Sequence, residues 1–176
     1  PTVKGVLSLE CCSVSPAGEY VKRNNLGGQV TVVGFDEVPT TLELIKEGYV
    51  QASFSQDPPR QTYEAVRMLV DFLNGKPISG VDTGIARIDK TNVDQWMVGA
   101  TPAAGVVDPK DFKINERIAK KIANKEPLVI RVSYHDVSNE FAPFMKQGVE
   151  KAAAEFGVDA VLVGPVGPDA EAQIAE

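Results

Sequence analysis

The 176-residue chain holds one histidine, His135, and two cysteines, Cys11 and Cys12, which are neighbours. With so few ligands there is no CxxC pair and no His/Cys cluster from which a zinc site could be built. A Ser-His-Asp arrangement would have to use His135 as its base, and no GxSxG elbow accompanies it. Adjacent cysteines join only under strain, so no disulfide framework exists. They read instead as two small buried hydrophobes at a strand end. No apolar run approaches the roughly 18 residues that cross a bilayer. No basic segment followed by an apolar one opens the chain, so no secretory signal is read. A GxxxxGK[ST] phosphate loop is missing, and no GxGxxG follows a strand. The nearest glycines, in Gly164-Pro165-Val166-Gly167, have the wrong spacing. A basic excess is lacking too: 18 Lys and Arg stand against 24 Asp and Glu, a formal net charge of -6. Non-specific nucleic-acid binding, which needs a basic footprint, is therefore disfavoured.

The composition that remains is that of a soluble globular protein, 43% hydrophobic and 24% charged. The length suffices for one ordinary domain with its own core. Strand and helix patterns alternate along it. Val3–Leu9 is a short apolar run that predicts a buried strand. Ser15-Pro16 reads as an N-cap with proline at the first helical position, and Gly27-Gly28 as the stop of that helix. Val30–Phe35 is the next strand, with Asp36 at its carboxyl end. Thr40–Glu43 reads as a capping box for a short helix that Gly48 ends. Tyr49–Ser55 predicts a strand, and Asp57-Pro58 opens a long helix with Tyr63, Val66, Leu69, Val70 and Leu73 at helical spacing. Thr83–Ile88 predicts another strand. Residues 98–112 are rich in Gly, Ala and Pro and read as linker, followed by a short charged helix over 115–125. A second start comes at Leu128–Ser133, a strand. A helix capped by Ser138 or Asn139 then carries Phe141, Phe144, Met145, Ala152 and Phe156 on one face. Val158–Val163 is a strand, and Pro168-Asp169 opens a last helix. This β-α-β alternation predicts parallel, doubly wound sheets with right-handed crossovers.

Several of these runs together resemble the type I periplasmic sugar-binding proteins, in the ribose- and galactose-binding manner. Val30–Asp36, then Leu44–Gly48, then Ala52–Pro58 resemble the family's carboxyl-terminal part, and Ile88–Asp94 its ending. Val132-Ser133, Asn139-Glu140-Phe141, Lys146-Gln147-Gly148, Val161–Pro165 and Asp169–Gln173 resemble its beginning. The halves stand in reversed order. The resemblance thus divides the chain into 1–97 (carboxyl-terminal part of a module), 98–126 (linker with a short helix) and 127–176 (amino-terminal part). It implies Rossmann-like three-layer α/β/α lobes with parallel sheets, incomplete, arising from a tandem array or a circular permutation. Two stretches of a full module are missing. A complementary chain or a domain-swapped partner is therefore expected to cover the sheet edges.

The family implies a sugar or polyol held in a cleft between two lobes that close about a hinge, with no catalysis, metal or cofactor. Open α/β sheets bind ligands at their carboxyl edge. The residues that the resemblance places there are Asp36, Glu10, and Gln56 at a hinge crossover. Tyr134, His135, Asn139 and Phe141 follow another strand. Carboxylates and amides suit paired hydroxyls, and flat rings suit the C–H faces of a sugar. Glu10 stands where many relatives have Asn, and the segment 134–141 is two residues longer than in close relatives. The function implied is that of an extracytoplasmic, periplasmic solute-binding protein delivering to the membrane permease of an ABC transporter. The alternative is a sensor or regulatory module of the same fold. An enzyme using Asp36 and Glu10 as paired carboxylates is the third reading, and nothing else in the sequence supports it.

Overall fold

The computed structural model describes residues 2–78, 80–97, 120–121 and 123–175. In chain order its elements are β1 (Gly5–Leu7), α1 (Cys11–Arg23), β2 (Thr31–Phe35), α2 (Pro39–Glu47), β3 (Ala52–Ser55), α3 (Pro58–Leu73), β4 (Ala86–Asp89), α4 (Val93–Trp96), β5 (Val129–Ser133), α5 (Ala142–Phe156), β6 (Asp159–Val163) and α6 (Ala170–Ala175). The chain forms two compact units, residues 1–57 with 84–102, and residues 58–83 with 103–176. Residues 58–83, which belong by sequence to the first block, thus pack with the second. Most of the expected linker and of the helix expected over 115–125 lies outside the described residues.

In the first unit, β1, β2 and β3 run parallel in the order of the chain, with Val6 opposite Val32 and Gly34 opposite Ser53. The fourth strand, β4, pairs antiparallel with β3, placing Ile88 opposite Ser53. The sheet is therefore mixed, with an antiparallel edge on an otherwise parallel core. The apolar stretch Val30–Val33 supplies the sheet's inner residues. Around Val32 gather Val14 and Val21 of α1, Leu44 and Ile45 of α2, Ile88 of β4 and Val93 of α4. Helix α1 lies directly on β2: a Cβ placed on Gly34 would come within 2.3 Å of a Val14 methyl. Glycine is therefore a steric requirement there. Gly48, at φ 88°, takes the left-handed conformation that ends α2.

Two helix starts differ from the sequence reading. Helix α1 begins four residues earlier than Ser15, at Cys11, and Pro16 lies inside it. Its cap is the Glu10 carboxylate, which accepts from the Cys12 N–H at 2.6 Å. Helix α2 begins at Pro39 after Val38, so the Thr40–Glu43 box falls within it. Ser15 does not cap; its hydroxyl pairs with that of Thr41 at 2.9 Å. A tertiary partner has taken up the oxygen that the local rule assigned to a backbone N–H.

In the second unit, β5 and β6 are parallel, with Ile130 opposite Ala160. Helices α3 and α5 cover one face of this pair. Val66 and Val70 of α3 join Ile130, Val149, Ala152 and Ala160 in a single core, and the rings of Tyr63 and Phe156 meet with centroids 5.8 Å apart. Gly157, at φ 63°, ends α5.

Because Gly34 has no room for a side chain, Gly34→Val is expected to destabilise the first unit by about 1–3 kcal/mol, the usual cost of overpacking. The check is the urea midpoint followed by circular dichroism. An unchanged midpoint would mean that α1 does not rest on β2 as described.

Candidate functional site

The carboxyl ends of β2 and β3 hold an unusual density of buried polar groups. Asp36 is 4% exposed, Glu37 9%, Ser53 0%, Ser55 2% and Asp57 4%. The chain reaches this arrangement through two left-handed residues, Asp36 at φ 70° and Asp57 at φ 57°. Aspartate is among the few non-glycine residues that enter this region readily. Each of the two leads the chain out of a strand and toward a helix.

Two expected residues meet here. The Gln56 side-chain N–H₂ donates to Asp36 Oδ1 at 3.1 Å. The Asp36 backbone is pinned as well: its N–H donates to the Phe54 carbonyl at 2.9 Å, and its carbonyl accepts from the Ser53 hydroxyl at 2.6 Å. Burial pushes the Asp36 carboxyl above its usual range; Gln56 partly offsets this and the charge of Glu10 adds to it. The rings of Phe35 and Phe54 lie beside each other at the same strand ends, centroids 6.0 Å apart. A carboxylate and an amide held rigidly at a parallel sheet's carboxyl edge, with aromatic rings nearby, form a polar–apolar pair of the kind that grips a polyhydroxylated ligand.

Glu10 is exposed and already engaged as the cap of α1. Burial alone would raise its carboxyl, but hydrogen bonds from Ser13 and Cys12 outweigh this and hold it below its usual range. Cys11 and Cys12 depart from the expectation of two buried residues at a strand end. They open α1, Cys11 buried and Cys12 exposed, with sulfurs 2.9 Å apart. Glu10, Cys11 and Cys12 bring three ligating atoms within 4.8 Å of one another. Burial first, and then the neighbouring Cys12 thiol, push the Cys11 thiol upward, which keeps it protonated.

Sequence reasoning missed Glu37. Ser55 gives it a hydrogen bond, yet Glu37 Oε2 is buried with no hydrogen-bond partner. Burial, joined by the charges of Asp36 and Asp57, pushes the Glu37 carboxyl up to about 6. The available signal was a charged residue between Asp36 and the fully apolar Val38, together with the small polar residues Ser53 and Ser55 alternating along β3.

In the second unit the four remaining expected residues cluster after β5. Asn139 Oδ1 accepts from the N–H groups of Phe141 and Ala142, both at 3.0 Å, so it caps the start of α5. Its amide donates to the Tyr134 hydroxyl at 3.3 Å. The Tyr134 ring lies 4.5 Å from His135 and 6.4 Å from Phe141, centroid to centroid. Phe141 precedes α5 rather than lying on its face. Asp136 ties this loop to the one after β6, accepting from the Ser138 N–H and the Gly167 N–H at 2.9 Å each. Gly164 allows the two loops to approach, since a Cβ there would lie 2.0 Å from the Tyr134 carbonyl oxygen.

Residues 1–77, which contain the Asp36–Gln56 pair, match the periplasmic binding protein domain family. A curated relative, the xylose/arabinose-binding protein of Sulfolobus acidocaldarius, is 22% identical over 108 residues, covering 57% of this chain and 27% of its own length. A solved carbohydrate-transporter solute-binding protein from Agrobacterium radiobacter, in complex with D-arabinose, is 27% identical with a TM-score of 0.52, over 56% of this chain and 34% of that one. An ABC-transporter solute-binding protein from Agrobacterium vitis, bound with alpha-D-tagatopyranose, is 25% identical with a TM-score of 0.51, over 58% of this chain and 35% of that one. The chain therefore spans about a quarter to a third of the length of these relatives. All three are binding proteins by name, and their likeness bears out the type I sugar-binding resemblance and the periplasmic binding protein fold. Among the described residues no helix is long and apolar enough to cross a membrane.

The buried Glu37 has a measurable signature. Its folded value, about 6, lies above the ordinary 4.5. The native state therefore holds the proton more tightly, and Glu37's contribution to stability is present below about pH 4.5 and lost as pH rises through 6. The difference corresponds to roughly 2 kcal/mol. Glu37→Gln is expected to be more stable than wild type above pH 6, the gap closing toward pH 4.5, in melting temperatures measured across that range. A gap independent of pH would show that Glu37 does not titrate as a buried acid.

Proposed function

We propose that the chain is the ligand-holding portion of an extracytoplasmic solute-binding protein for a sugar or polyol, serving an ABC-type uptake system. The observation that carries this reading is the buried Asp36–Gln56 pair at the carboxyl edge of a sheet whose segment matches the periplasmic binding protein domain. In this reading Asp36 accepts hydrogen bonds from ligand hydroxyls, and Gln56 both fixes the carboxylate and offers its amide. Tyr134, Phe141, Asn139 and His135 supply the aromatic and amide contacts of the second unit, and Glu10 a rim contact. The whole protein closes by hinge motion about the sugar and hands it to a membrane permease without chemical change. The names of the relatives favour pentoses and ketohexoses as first candidates.

Calorimetric titration with D-arabinose, D-xylose and D-tagatose tests this. One of them is expected to bind, and Asp36→Asn to weaken binding by about tenfold or more, the worth of a charge-assisted hydrogen bond. The melting temperature of the variant should hold or rise, since a raised carboxyl has been replaced by a neutral amide. Equal affinity in wild type and variant would remove Asp36 from the site. Absence of binding to any sugar or polyol would end the reading.

A further inference from the structure

We infer that Glu10, Cys11 and Cys12 form a site for one thiophilic divalent cation of the zinc class, at the start of α1. Nothing in this site rests on the sugar reading.

Two adjacent cysteines with no histidine near them in the chain predict no metal site, and the resemblance implies none. Folding adds a third donor. The Glu10 carboxylate turns back to cap α1, accepting from the Cys12 N–H at 2.6 Å, and this holds it beside the two thiols. One donor atom from each residue lies within 4.8 Å of the other two. A four-coordinate zinc ion holds sulfur at about 2.3 Å and carboxylate oxygen at about 2.0–2.2 Å, which separates its donors by about 3.3–3.8 Å. Side-chain rotation alone can reach that spacing. The sulfurs, now 2.9 Å apart, must part by about 1 Å. Cys12 is exposed and has room to turn about its Cα–Cβ bond. Capping does not exhaust Glu10, because the two oxygens of a carboxylate offer about four acceptor sites.

Charge favours the ion. With both thiols ionised, the three donors carry three negative charges, against roughly half a positive charge at a helix N-terminus. That half-charge also stabilises the thiolates themselves. The charges of Asp36 and Glu10 both bear on Cys11. No ion pair among the described residues involves Glu10 or Asp36. With no cation at hand, the Cys11 thiol stays protonated. A bound ion displaces the two thiol protons to solvent and takes both sulfurs as thiolates. Thiolate donors select zinc-class ions over magnesium and calcium. Three protein donors leave one position open to water or a small ligand. The competing account is two thiols touching as small apolar groups. It suits Cys11, 8% exposed, but not Cys12, which lies at the surface.

The test uses the full chain, reduced and stripped of metal, with no sugar present. Cd2+ is titrated in while the ultraviolet thiolate-to-cadmium absorption and proton release are followed. One equivalent is expected to saturate the site, with the absorption of two thiolates and the release of protons. Zn2+ should displace the cadmium, and excess Mg2+ should not. Cys12→Ser should halve the absorption and weaken binding about tenfold or more. Glu10→Asn keeps a capping oxygen but loses the charge. It should weaken binding about tenfold, with the two-thiolate absorption and the metal-free melting temperature unchanged. No cadmium absorption, two ions per chain, or the absorption of a single thiolate in the unaltered protein overturns the inference. So does an affinity unmoved by Glu10→Asn. Should that variant melt early, Cys12→Ser decides, and an unchanged affinity there overturns the inference as well.

Discussion

Two neighbouring carboxyl groups, Asp36 and Glu37, are withdrawn from water at the end of β2, and much of the first unit is arranged around them. Burying a carboxylate without partners is costly, and the group tends either to find donors or to take up a proton. Both responses occur side by side. Asp36 receives the amide of Gln56 and has its backbone clamped by Ser53 and Phe54. Glu37 receives the Ser55 hydroxyl and a backbone N–H, leaves Oε2 without a partner, and is pushed toward the neutral form. Strand β3 explains how this is sustained. Its inward positions, Ser53 and Ser55, are hydroxyls in place of the valines and isoleucines that ordinarily fill such a strand, and Gln56 and Asp57 continue the polar run.

That constraint also orients the site. Asp36 and Asp57 each leave a strand in the left-handed conformation, which turns the chain sharply at the sheet's carboxyl edge. The aromatic pair Phe35 and Phe54 stays at the ends of the strands themselves. A polar floor with rings beside it follows from strand alternation: successive residues point to opposite faces, so the serines of β3 and Phe54 separate. In the second unit a similar function of position appears with different chemistry. There Asn139 both caps α5 and holds Tyr134, so the ring cluster is built on a helix start.

Much of this was legible in the sequence. The alternation of strands and helices, the glycine stops at Gly48 and Gly157, and the placement of Asp36 and Gln56 after strands all follow from local pattern. Asp36 and Gln56 were legible through the resemblance, Asp36 by its Gly-Phe-Asp context at a strand end and Gln56 by its place at a hinge crossover. The failures share a cause. Ser15 looked like a helix start because cap chemistry is local, but its hydroxyl found Thr41 of another helix. Glu10 capped α1 although glutamate is not among the preferred caps, and so Cys11 and Cys12 entered a helix. The antiparallel direction of β4 was hidden because strand direction leaves no mark in a four-residue pattern. Glu37 was passed over because a charged residue beside a turn usually faces water, and only the three-dimensional arrangement shows that it does not.

The route of the chain through its two units has a consequence during synthesis. The first unit becomes complete in its described elements once β4 and α4 have been made, with Ile88 and Val93 entering its core. Helix α3 is finished earlier, yet the residues that cover it, Ile130, Val149, Ala152 and Ala160, come much later. At a ribosomal pace of about 5–20 residues per second, the apolar side of α3 stays uncovered for several seconds. During that interval the nascent protein is a finished half bearing a sticky helix, and this is when a chaperone, or another nascent copy, would have its opportunity.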